Sequence, residues 1–267
     1  MEKRLIGLTI ALIVLTLIFW AIEFLWPSLP AQRRRRSGLR TDLIYWFFTP
    51  LISQSLAKIA VLIALVPPML LLGRKLDRAT LAAGHGVVLD LPVWLQAVLI
   101  VALGDFIGYW THRWFHGRRL WAFHAVHHSS KHLDWLSSVR LHPVNDIVSR
   151  TFQAVPFVLL GFAPSVVASY LPFLTFYAIF IHANVSWTFG PLRYVIATPL
   201  FHRWHHTKED EALDKNFAGL LPLWDILFGT FYLPAGKVPT EFGVHDDSVP
   251  ESFWGQMAHP FRARRAP

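Results

Sequence analysis

The chain has 267 residues, of which 54% are hydrophobic and only 16% charged, with 14 histidines and no cysteine. A soluble domain carries roughly 25% charged residues, so this is a membrane composition; the missing cysteines exclude a disulfide scaffold, a haem-thiolate, an iron–sulfur cluster and a cysteine-based zinc site. The formal net charge is +8, and much of the excess sits in arginine runs beside apolar segments, which suits membrane topology rather than nucleic-acid binding.

Leu5 to Ile22 carries no charge, and at a rise of about 1.5 Å per residue it nearly crosses a hydrocarbon core of about 30 Å. The run is longer than the core of a signal peptide, and no small-residue cleavage site precedes Pro27, so a retained membrane helix is predicted, ending near Trp26. Glu23, close to that end, is assigned no part in any site. Pro27 and Pro30 break the helix, and Arg33, Arg34, Arg35, Arg36 and Arg40 follow. A second apolar stretch, Leu43 to Leu72, is interrupted by Lys58 and ends at Pro67-Pro68, as one long kinked span or a span plus an interfacial piece. A third, Leu91 to Trp110, carries only Asp105. The fourth, Thr151 to Ile181, contains Pro156, Gly161, Pro164 and Pro172 and is longer than one span requires, so it reads as a helical hairpin.

Strand alternation is absent, and the predicted class is all-α, with about four crossings. Residues 1–110 form a membrane anchor, and residues 111–267 form a histidine-rich cap that includes the hairpin at 147–181. The five arginines of the first loop outweigh Lys3 and Arg4, which places that loop in the cytoplasm. Counting crossings puts the segment after Trp110, the segment from His182 onward, and the tail with Arg262, Arg264 and Arg265 on the same side.

The histidines fall into motifs. His112 and His116 form HxxxH; His124, His127 and His128 form HxxHH; His202, His205 and His206 form a second HxxHH. On a helix, positions i, i+3 and i+4 share a face, so each set is a chelate. Imidazole suits iron, zinc, copper or nickel, and these sets supply more nitrogens than one ion accepts, which points to two metals. Asp105 lies on the same helical stripe as His112 and His116, where its carboxylate could accept the second ring N–H of a ligand histidine. His142 precedes a proline, which ends the helical region and frees its side chain to turn inward. His132 reads as a cap residue, and His85, His245 and His259 as structural.

These motifs, with Leu120-Trp121, Arg140-x-His142-Pro143, His182-x-Asn184 and Trp224-Asp225-x-x-Phe228-Gly229-Thr230, resemble the sterol desaturase and fatty acid hydroxylase superfamily of membrane di-iron enzymes. The resemblance implies a four-helix anchor under a cytosolic cap, holding two irons that use O₂ to hydroxylate, desaturate or otherwise oxidise a lipid. It carries over His112, His116, His124, His127, His128, His202, His205 and His206 as ligands, with His182 as a further family histidine. Some relatives have another histidine four residues before it, where this chain has Ala178; His142 is the expected replacement. Ala218, where relatives often have glycine, is a second departure. No cysteine and no recognisable haem or flavin segment is present, so a separate electron-donor protein is expected. A metal transporter is disfavoured because nearly all histidines lie outside the apolar spans. A membrane zinc hydrolase is the remaining alternative, since spacing alone does not identify the metal.

Overall fold

In the computed structural model the described residues are 1–71, 73 and 84–263. Leu72, Arg264 and Arg265, which figured in the expected spans and charge balance, lie outside them. Among the described residues the regular elements are all helices, joined by turns and loops, with isolated bridges pairing Pro27 with Val185 and Thr207 with Phe242.

Among the described residues, three helices are long and apolar enough to cross a membrane. Helix α1 (Glu2–Leu25) exposes most of its apolar surface and buries Phe19. Helix α2 runs over Leu39–Leu71 and contains a π-helical segment, Thr49–Ser53. The irregularity of this stretch thus falls at Pro50, whose missing N–H disrupts the regular ladder; helix continues through Pro67 and Pro68. Helix α3 (Val93–Phe115) is the third, and it runs unbroken through the expected division between residues 110 and 111.

The predicted hairpin forms as α5 (Pro143–Leu160) and α6 (Pro164–Ile181), with Trp121–His128 as α4 before it. Ser165–Ile181 is apolar but shorter than the three long helices. The turn falls at Gly161, with φ 95°, and not at Pro156 or Pro172, which stay inside helices. A side chain at Gly161 would collide with the His85 carbonyl oxygen, so both the left-handed backbone and the close approach require glycine. Helix α5 packs against the second half of α2 on one side and α3 on the other.

Three short helices complete the cap: α7 (Pro199–His206), α8 (Leu223–Leu227) and α9 (Phe253–Ala263). Helix α7 starts cleanly because the Thr198 hydroxyl accepts Phe201 N–H and Pro199 occupies the first turn.

One of the five loop arginines is not a free surface charge. Arg36 is buried and grips Asp134 with two nitrogens at 2.6 and 2.5 Å, while also pairing with Asp42 at 2.7 Å. Arg140 binds the other side of Asp42. The arginine loop and the start of α2 are therefore locked onto the histidine-bearing segments by paired, desolvated charges.

Candidate metal centre

Nine of the ten predicted ligand histidines converge into two groups. The first comprises His112, His116, His124, His128 and His205; the second, His127, His182, His202 and His206. Within each group the candidate ligand atoms lie within 4.8 Å of one another. Helix α3 delivers His112, with His116 at its C-terminal end; α4 supplies three rings, α7 another three, and the end of α6 presents His182. Each HxxHH helix divides its rings between the groups: α4 gives His124 and His128 to one and His127 to the other, and α7 gives His205 to one and His202 and His206 to the other.

The far sides of the rings determine what the inner sides can do. The Nδ1 atoms of His112, His127, His182 and His205 donate to the carbonyl oxygens of Phe217, Arg140, Ala178 and Lys215, at 2.7, 3.0, 2.6 and 2.7 Å. His124 donates to Asn145 Oδ1 at 2.8 Å, and His116 to Asp214 Oδ1 at 3.0 Å. A carbonyl oxygen can only accept, so each proton sits on Nδ1, and the neutral ring turns a bare Nε2 lone pair inward.

Such lone pairs meet at short range. Nε2 of His112 is 2.9 Å from Nε2 of His124, and Nε2 of His127 is 3.3 Å from Nε2 of His182. Neither contact can be an ordinary hydrogen bond, because neither inward nitrogen carries a proton. Nε2 of His116 and of His205 are buried without a partner. A further proton is disfavoured: burial pushes His127 down to about 4 and holds His124, His128, His182, His202, His205 and His206 well below the ordinary imidazole range. The donor set fits metal cations, which satisfy several converging nitrogen lone pairs at once.

Two predicted residues lie elsewhere. His142 belongs to neither group: its Nδ1 accepts Val144 N–H at 3.2 Å, capping α5, while Nε2 approaches the Met257 carbonyl at 3.3 Å. The residue before Pro143 is extended, as expected, but its ring turns back to the helix start and packs at a tilt against Phe123. Asp105 touches no histidine. Its two oxygens accept Leu220 N–H and Leu221 N–H at 2.9 and 2.8 Å, so it acts on the segment that carries the Phe217 carbonyl and not on a ring. Ala178 contributes only its carbonyl, to His182. His132, His85, His245 and His259 also stand outside both groups.

Besides Asp214 at His116, two further polar residues that orient the site received no role from the sequence. Asn145 holds His124. Asp225, fully buried, accepts Phe217 N–H and Ala218 N–H, both at 2.8 Å, and the Thr230 hydroxyl at 2.6 Å. It thereby fixes the peptide whose carbonyl holds His112. The Trp224-Asp225 motif was its available signal; Asn145 had none beyond its place in the first turn of α5.

The profile of the fatty acid hydroxylase family matches residues 97–230, a span that starts within α3 and contains both histidine groups. The chain belongs to the fatty acid hydroxylase family. It is similar to the ornithine lipid hydroxylase OlsE of Rhizobium tropici, with 35% identity over 172 residues, covering 64% of this chain and 51% of that one. It is also similar to the alkylglycerol monooxygenases of Danio rerio, 38% identical over 56% of this chain and 34% of the relative, and of Homo sapiens, 38% identical over 54% and 32%. The chain therefore spans about half or less of the length of these family relatives. No solved structure matches it.

Proposed function

We propose that the chain is a membrane-bound di-iron monooxygenase that hydroxylates a lipid C–H bond. One iron is held by His112, His116, His124, His128 and His205, the other by His127, His182, His202 and His206. The observation that carries this reading is the inward convergence of nine imidazoles, six of them held by an oxygen acceptor on the far side. Irons bound there supply the activation of O₂ and the oxidation of the C–H bond. The names of the relatives, lipid hydroxylase and monooxygenase, support the same class of substrate and reaction.

This chain's own residues orient and enclose. The Nδ1 contacts keep each ring from rotating, so the donor set is preorganised. Burial of the α4 and α7 rings excludes bulk water from the donor atoms. The apolar helices α1, α2 and α3 place the cap against the bilayer, so that a lipid reaches it without crossing water. Monooxygenation consumes two electrons and two protons with each O₂, yielding the alcohol and water, and a separate donor protein supplies the electrons. Arg36 of the arginine loop bonds Asp134, six residues beyond His128, and a cap held close to that basic loop supports a cytoplasmic orientation.

Lipids from cells expressing the chain under isotopically labelled O₂ should contain a species heavier by one labelled oxygen atom, absent when His182→Ala is expressed. Lipid hydrolysis without O₂ uptake would instead support a zinc hydrolase and overturn the proposal.

A further inference from the structure

Helix α1 lies outside the matched span of 97–230, and from sequence it is only an anchor. Its one acidic residue beyond the first turn, Glu23, nevertheless reaches into the cap. Glu23 Oε1 accepts Asn184 N–H at 2.8 Å and Trp135 N–H at 3.3 Å. Asn184 is two residues beyond His182, just past the end of α6. Trp135 opens a short 3-10 turn and stacks on Phe19 of α1, with ring centroids 5.4 Å apart.

The chain after α1 continues this attachment. Ser28 N–H donates to the Asn184 carbonyl at 2.9 Å. The Asn184 side chain takes Leu29 N–H on Oδ1 at 3.0 Å and gives Nδ2–H to the Leu29 carbonyl at 3.2 Å. Pro27 pairs with Val185. On the other flank stands Arg203, fully buried and next in the chain to the ligand candidate His202. It donates to the Leu133 carbonyl at 3.1 Å, and Glu23 and Asp134 are the acids whose charge reaches it.

We infer that Glu23 is a positioning residue for the second histidine group, holding the turn after His182 so that this ring faces His127, His202 and His206. The inference rests on the di-metal reading. A carboxylate is costly to bury on an otherwise apolar helix, and here its hydrogen bonds go to segments that flank the site.

The test measures metal per chain by elemental analysis, and the rate at which EDTA extracts each ion, in the full-length protein purified anaerobically in lipid nanodiscs. Wild type should hold two ions. Glu23→Leu should fall towards one, or lose its second ion about 10–100-fold faster, as when partners that orient a ligand are removed. Glu23→Gln keeps a carbonyl oxygen able to accept both N–H groups, and should retain two ions at a near-normal rate. Leu17→Ala, on the lipid-facing side of α1, should match wild type. If Glu23→Leu does not fold, Glu23→Met carries the test, since it fills the same space without an oxygen to accept Asn184 N–H and Trp135 N–H; the same selective loss is expected. Two ions extracted at wild-type rates in either variant would overturn the inference, as would equal losses in Leu17→Ala. A wild type with at most one ion would instead overturn the di-metal reading.

Discussion

Asn145 Oδ1 accepts the Nδ1 proton of His124 at 2.8 Å, across the packing of α4 on α5. That bond turns the His124 Nε2 lone pair towards His112. Asn145→Leu removes the acceptor and releases the ring, so metal retention should weaken by about 10–100-fold. Asn145→Asp keeps an oxygen at the same reach and should be milder. Chelator competition on the purified variants distinguishes them, and equal retention in Asn145→Leu and wild type would show that the bond is dispensable.

His142 and His182 should behave differently. His142→Ala removes an N-cap contact, which costs about 1 kcal/mol of stability, and leaves both metals and turnover in place. His182→Ala deletes a member of the second group and should lose metal and activity together. Metal per chain and melting temperature, measured side by side, separate a cap from a ligand. Loss of an ion from His142→Ala would return that residue to the ligand set.

Asp225→Ala strands Phe217 N–H and Ala218 N–H in a buried site and leaves the Thr230 hydroxyl with Tyr109 as its side-chain partner. Unsatisfied buried donors make this a loss of about 3 kcal/mol or more. The Phe217 carbonyl then drifts from His112, so metal retention should fall together with melting temperature. Asp105→Asn should act in the same direction more weakly, because only one of its two backbone contacts is replaced by an amide that cannot accept. A melting temperature unchanged in Asp225→Ala would refute this account of the loop.

The metal-free protein should lose stability on acidification. Burial lowers His127 from the ordinary imidazole value of about 6.5 to about 4. Between about 6.5 and about 4 the unfolded chain therefore takes up protons that the folded ring refuses, and unfolding becomes progressively easier as pH falls through that window. The other cap histidines shift in the same direction for the same reason. Thermal melts of chelator-treated protein should show a falling midpoint from about pH 7 to pH 5; a flat profile would mean that the rings titrate freely in the folded state.

Composition and spacing by themselves determined the all-helical class, the long apolar helices and the convergence of chelating histidines, because helical periodicity puts i, i+3 and i+4 side chains on one face. They did not reveal how rings are shared. His127 and His128 are adjacent in the chain and enter different groups, since successive residues on a helix point about 100° apart and the partners on α3, α6 and α7 arrive from different directions. Nor did they reveal which residues hold the rings in place. His142 and Asp105 lie at plausible spacings but spend their polar atoms on backbone groups, Asp105 on the distant Leu220 and Leu221, and Asn145 and Glu23 likewise act across gaps that only folding closes. Local pattern sets the face a side chain occupies; which atom waits opposite it depends on the packing of distant helices, where every buried donor must find its acceptor.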